Sequence, residues 1–507
     1  TWAIDGRASR IVSDGFIDRA SSDLSSYYFS GGYYSDKTMI KALAFGGRER
    51  TYQSWWGVPE SRLNNDLEAM LVTAANEGWN EEQTYNLLTS DSRTFNPYLY
   101  KNQVDNYGQD HYQMHFSHRI VEALTVNTSL HYTKGSGYYE EYRYDDDIAN
   151  YGLPDVVVDD DGIPDDNDTI TTTDVIRRRW LANDFYGLTF SMQRESEFLD
   201  LTLGGAWNQY DGDHFGEILW SEQSIAQHEY RYYFNTGKKR DVNLYLKGNF
   251  TLSDRVSAFA DLQVRDLAYE AGGVANKQNT FVIDQHYTFF NPKLGATISF
   301  TQGQMVYASY SVGNREPVRD DFIDNQGSYP LPERLNDWEV GYRHTSEYFA
   351  WSVTGYLMDY QNQLVLTGKL NDVGATIRTN VDKSYRAGVE WESKLRLSKN
   401  LTWDLNLTLS RNKIAEFTEV LYDYGADWDE YNEVVRTYTD TDISFSPNMI
   451  AGSSIGYEPF NGVELAVLSK YVGKQYLDNT SNNDRSIDAY FTHDVRLSYS
   501  TSLKLLK

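Results

Sequence analysis

At 507 residues the chain carries 46 Lys and Arg against 73 Asp and Glu, a formal charge of −27, and it has no cysteine. That balance excludes nucleic acid as a partner, which needs a basic face. The missing thiols exclude disulfide and thiolate-metal frameworks. No apolar run reaches the ~18 residues of a membrane helix. Yet 41 tyrosines and 12 tryptophans match the interfacial girdles of a membrane β-barrel, in which every second residue faces water and mean hydropathy stays low.

The chain opens mid-pattern at "TWAIDGRASRIV", which implies that the true N-terminus lies upstream. The stretch 51–108 reads as a long loop with internal helices. In "SRLNNDLEAMLVTAANEG" the residues Leu63, Leu67, Met70, Leu71 and Ala74 share one helical face, and Gly78 ends the helix. In "NEEQTYNLL" Asn80 is an N-cap and Gln83 completes a capping box. Next comes "QDHYQMHFSH", where His111 and His115 alternate with Tyr112, Met114 and Phe116. Four residues along a strand span ~13 Å, too far for both imidazoles to bind one metal, so both read as polar residues facing the lumen.

From here period-two alternation dominates, the mark of a half-buried strand. In "LTVNTSLHYT" Leu124, Val126, Leu130 and Tyr132 oppose Thr125, Asn127, Ser129 and His131. "DLTLGGAW", "VNLYLKGNF" and "RVSAFADLQV" repeat the split. In "NLTWDLNLTLS" Leu401, Trp403, Leu405, Leu407 and Leu409 form one face, and Asp404 and Asn406 lie on the other. Short turns fall at "LSDR", "TQGQ", "TSEY", "LSKN" and "EPFN". Between them come long connections at 136–183, 210–238, 266–290, 313–336, 413–445 and 473–489. Short turns at one end and long loops at the other are the plan of an outer-membrane barrel. The expected fold is all-β, a transmembrane antiparallel β-barrel with about 18 strands in this chain and long extracellular loops with short helices. Residues 1–507 make one barrel domain.

Two loop features carry chemistry. "DDDGIPDDND" offers Asp159, Asp161, Asp165 and Asp168 around a glycine, as calcium loops require, and it resembles one thrombospondin type 3 repeat. The competing reading is a solvated acidic tip. "SVGNREPVRDDF" places Arg315, Glu316, Arg319, Asp320 and Asp321 around Pro317 at the end of a strand. Such a knot either clasps the loop root, together with Glu333 and Arg334, or presents Arg315 and Arg319 to an anionic ferric chelate. No nucleophile–base pairing, phosphate loop or zinc spacing appears, so no enzyme and no required cofactor is expected.

The segments "SDGFIDRASSDL", "IKALAFGGRERTYQSWWGVPE", "NPYLYKNQVDNYGQDHYQMHF" and "VYASYSVGNREPVRDDF…LPERLNDWEVGYR" resemble the barrel of TonB-dependent outer-membrane receptors, of the kind found in Bacteroidetes. The resemblance covers essentially the whole chain. It implies about 22 strands in the full protein, an N-terminal plug beyond this sequence, further strands at the C-terminal end, and TonB as partner through that plug. It also implies outer-membrane lipid and lipopolysaccharide as surroundings. The expected function is active import of a scarce, bulky nutrient, a ferric siderophore or similar metal chelate. The alternatives are a passive pore, or a structural or receptor barrel in an assembly with other outer-membrane proteins. Ligand contacts are expected in the longest loops, from Trp55, Trp56, Tyr138, Tyr139 and Arg143, and at the rim from Arg315 and Arg319.

Overall fold

The computed structural model describes residues 1–157, 169–325, 329–370, 376–423 and 432–501. Among these, nineteen strands form one antiparallel sheet. Alternating apolar and polar side chains explain the choice of strand over helix, because only an extended backbone sends them to opposite faces. The chain divides into two compact units. One comprises Thr1–Gln193, Gly204–Asn243 and Asp266–Tyr287, the other Arg194–Leu203, Leu244–Arg265 and Thr288–Lys507.

In the first unit Trp2–Ser13, Ser22–Tyr34, Thr38–Tyr52, Val104–Val121 and Leu124–Asp147 pair in succession. Connections at 35–37 and 122–123 are short. The connection 53–103 is long and carries helices Glu60–Leu63, Leu67–Asn76 and Glu81–Thr89. The expected single helix is therefore broken. Asn65 takes φ 55°, and Asp66 caps a new start by accepting from the Ala69 amide at 3.1 Å. The break turns the helix so that Met70 and Ala74 pack on Leu87 and Phe95, while Leu63, Leu67 and Leu71 stay exposed. The capping box is present: Asn80 Oδ1 accepts from the Gln83 amide at 2.9 Å, and Gln83 Oε1 from the Asn80 amide at 3.2 Å.

In the second unit Gln304–Arg315, Glu333–Thr345, Phe349–Leu370, Thr376–Ser398 and Leu401–Asp423 pair in order. Leu401–Asp423 then pairs with Met449–Phe460 along its first half and with Asn432–Asp442 along its second. Two strands thus share one place in the succession. Val463–Val472 and Tyr490–Tyr499 follow. The faces fall as the alternation requires. Leu405 lies opposite Ser393 and Ser453, Leu407 opposite Trp391 and Ala451, and Leu409 opposite Val389 and Met449. On that face Trp351 and Trp391 stack at 4.8 Å. Asn406 and Thr408 meet Glu392 and Glu390 on the other face.

Two expectations need correction. The last short turn falls at 461–462, not at "EPFN". Asn461 and Gly462 form a two-residue hairpin loop in which Gly462 takes φ 86°, the left-handed conformation that Asn-Gly loops supply. Most of the long connections are also largely strand. Leu124–Asp147 and Thr172–Arg194, like Leu199–Ser221 and Tyr230–Thr251, run well into stretches read as loop. Outside lipid neither face must be apolar, so the alternation fades there while the backbone ladder continues.

Candidate functional site

The far ends of the first unit's strands, away from the short turns, gather arginines and aromatic rings. The run Arg177-Arg178-Arg179 lies in Thr172–Arg194, and its period of two splits it between faces. Arg177 and Arg179 meet Glu141 and Tyr139 of the neighbouring strand, and Arg178 meets Tyr138 and Glu140. Arg177 is buried, 2.8 Å from Glu141 and 3.7 Å from Asp146. Asp146 also accepts from the Tyr151 hydroxyl at 2.7 Å. Burial pushes the Asp146 carboxyl up, but Arg177 and Tyr151 outweigh it and hold the group below the usual carboxylate range. Tyr151 packs with Val175, Ile218, Tyr232 and Tyr233 in a fully buried core. This core was not foreseen. Its signal was the triple-arginine run, whose charges must find carboxylates once a strand carries them out of water.

Of the residues singled out in the sequence, Trp55, Trp56, Tyr138, Tyr139 and Arg143 belong to the same unit as this core. Trp55 is half exposed, edge-on to Tyr139 at 5.6 Å and to Tyr98 at 6.4 Å. Trp56 is equally exposed. Tyr139 lies under the Arg179 guanidinium, whose carbon is 5.4 Å from the ring centre. Burial pushes its phenol far above the usual range. Tyr138 lies 4.6 Å from Trp180 and under Arg178 at 4.2 Å. Arg143 reaches Asp146 at 3.4 Å. Beside Trp55, Asp105 has its carboxyl pushed up to about 6, chiefly by desolvation and then by Glu49, with the Trp55 indole opposing.

The charged knot after Gln304–Arg315 is a web of ion pairs in the second unit. Arg315 faces Glu333 at 3.8 Å and Arg319 faces Asp320 at 3.9 Å. Its buried acids pair farther away in the chain. Glu316 takes two hydrogen bonds from Arg265, at 2.8 and 3.0 Å. Asp321 takes two from Arg378, at 2.9 and 2.8 Å, and accepts from the Val318 amide at 2.7 Å. That amide bond starts the short helix Arg319–Asp324. A recess on the polar face of this unit holds Asp337, Glu339 and Glu390 around Arg386, and Arg386 donates to the Ser446 hydroxyl at 2.8 Å.

His111 and His115 each hydrogen-bond a hydroxyl of the next strand, Thr133 and Ser129, both at 2.8 Å. Among the described residues no group of three His, Asp or Glu side chains could hold a metal. The motif with Asp159, Asp161, Asp165 and Asp168 lies outside the described residues. At its root Val156–Val157 pairs with Thr169–Ile170.

Comparison with known proteins identifies the scaffold. Residues 17–506 match the family described as TonB dependent receptor-like, beta-barrel. No curated protein sequence matches the chain. Among solved structures, the ferric-catecholate import receptor Fiu from E. coli K12 in its closed form superposes with a TM-score of 0.66 at 14% identity, covering 99% of this chain and 72% of that one. The ferric yersiniabactin uptake receptor FyuA from Yersinia pestis gives 0.63 at 13%, covering 98% and 68%. The siderophore receptor PiuA from Acinetobacter baumannii gives 0.63 at 13%, covering 99% and 71%. At these identities the likeness is one of fold. The polar and apolar faces, the short turns and the match over nearly the whole length agree: the chain belongs to the TonB-dependent receptor β-barrel family, transporters of the bacterial outer membrane and not enzymes.

Proposed function

We propose that the chain is the wall of an active importer that takes a scarce, bulky nutrient, a ferric siderophore or a similar metal chelate, across the outer membrane with energy from TonB. The observation that carries this reading is the family match across residues 17–506. Likeness in fold to receptors named for ferric catecholate, ferric yersiniabactin and siderophore supports it. In this reading the exposed Trp55 and Trp56 give the cargo a flat apolar contact, with Tyr139 behind Trp55 and Tyr138 offering a second ring on the other face of its strand. Arg143, Arg315 and Arg319 hold loop roots through their carboxylate partners and bring positive charge to the side of the cargo.

The test is radiolabelled uptake by cells expressing the full gene, on a panel of ferric chelates, cobalamin, haem and oligosaccharides. Uptake of a chelate should stop when TonB is deleted or an uncoupler is added. Uptake indifferent to the uncoupler would mean a passive pore. No uptake at all, with co-purification of envelope proteins in fixed ratio, would mean a structural subunit.

A further inference from the structure

We propose that a recess on the polar face of the first unit recognises an uncharged ligand surface rich in hydroxyl and amide groups, so that the imported chelate is an electrically neutral one of the trihydroxamate class. The identity of the cargo as a chelate rests on the reading above. The charge class rests on the recess itself.

The recess measures about 670 Å³ and its lining contains no Asp, Glu, Lys or Arg. That volume falls within the range of small-molecule sites. Gln109 and His111 come from Val104–Val121, Thr133 from Leu124–Asp147, Asn183 and Phe185 from Thr172–Arg194, and Asn208 from Leu199–Ser221. Several of these groups are held in place by bonds that leave polar atoms over. His111 Nδ1 bonds the Thr133 hydroxyl at 2.8 Å and the ring stacks on Phe45 at 4.5 Å, which leaves Nε2 for a ligand. His131 Nε2 meets Asn208 Oδ1 at 2.9 Å, which leaves the Asn208 amide N–H groups as donors. Gly187 keeps the space open, because a β-carbon there would come within 2.7 Å of His131 Nε2 and 2.5 Å of Asn208 Oδ1. Fixed neutral dipoles beside an aromatic edge bind hydroxyls and amides. They offer no countercharge to an anion, whose lost hydration would go uncompensated.

The charges elsewhere point the same way. In this unit Arg177, Arg178, Arg143 and Arg48 are paired with Glu141, Glu140, Asp146 and Asp110. In the other unit the polar-face recess carries three carboxylates against one arginine. The whole chain stands at −27, a field that repels polyanions. Three singly charged hydroxamates cancel the charge of a ferric ion, whereas three doubly charged catecholates leave a trianion. The neutral complex also exposes amide groups.

The experiment is calorimetric titration of the full-length receptor in detergent with a neutral cyclic ferric trihydroxamate, a ferric tris-catecholate and a neutral oligosaccharide. It is repeated on Gln109→Leu and Asn208→Leu, with folding checked by heat-modifiable gel mobility. The expected result is trihydroxamate binding at least ~10-fold tighter than catecholate, weakened ~10-fold or more by either substitution and insensitive to salt. Catecholate binding as tight as trihydroxamate overturns the proposal. So does trihydroxamate binding that neither folded variant alters. If only the oligosaccharide binds, and both variants weaken it, the neutral recess stands and the chelate reading falls. If nothing binds, the recess proposal falls, whatever uptake shows.

Discussion

The guanidinium of Arg177 lies 2.8 Å from the Glu141 carboxylate, and the two side chains retain only 7% and 11% of their exposure. Removing one partner of so buried a pair strands the other. Arg177→Met should cost ~3–5 kcal/mol in the local stability of this core, because Glu141 is left uncompensated and Asp146 keeps only the more exposed Arg143 and its neutral donors. Hydrogen exchange should show protection falling at 139–151 and 175–179. Adding Glu141→Leu should restore part of the loss. Unchanged protection in Arg177→Met would refute the structural role given to the pair.

Asp105 lies at the end of Val104–Val121 remote from the turn at 122–123, beyond the ~9–11 residues that cross lipid. Its carboxyl is pushed up to about 6, against an ordinary value of about 3.9. The folded state therefore binds the proton more tightly than the unfolded chain. The penalty is fully present above pH 6 and is relieved as pH falls from about 6 toward 4. Local stability around Trp55 should rise over that window. Asp105→Asn should remove the dependence, read as a tryptophan emission difference between the two proteins. A titration that survives in Asp105→Asn would assign it to another group.

Asn80→Ala removes one half of a reciprocal cap. The helix Glu81–Thr89, which presents Leu87 to the loop core, should lose ~1 kcal/mol. Exchange at the Gln83 amide, now without its acceptor, should quicken first. No change there would mean that solvent already satisfies this end.

Leu405 and Asn406 are adjacent in sequence but lie on opposite faces. Arginine at Leu405 should cost ~2–4 kcal/mol if it lies near the midplane, and arginine at Asn406 should be tolerated. Folding yields into liposomes read the difference directly. Equal yields would reverse the assignment of faces.

Much of the wall was legible in the sequence because lipid imposes a pattern. Leu401 to Leu409 alternate since one face must be apolar, and a two-residue period leaves little choice of backbone. The capping box at Asn80 was legible because its partners are three residues apart. The pairing of Asp321 with Arg378, or of Glu316 with Arg265, was not, since each joins residues far apart in the chain and depends on which strands become neighbours. The Tyr151 core escaped for a related reason. Its members come from three successive strands and a short connecting turn, and above the lipid no alternation marks them. The loop helix misled because Leu63, Leu67, Met70, Leu71 and Ala74 all satisfy one helical period, whereas Asn65 and Asp66 restart the helix and bury only Met70 and Ala74 of that face.

The strands that outrun the lipid have a consequence for whatever meets the cell from outside. Between Leu124–Asp147 and Thr172–Arg194 the surface is a paired ladder, with Tyr138, Arg178 and Trp180 side by side. An antibody or a phage fibre landing there touches several chain segments at once. Epitopes in this region are discontinuous. Serum raised against a linear peptide cut from 124–147 should fail to stain intact cells, while serum raised against the folded protein should stain them.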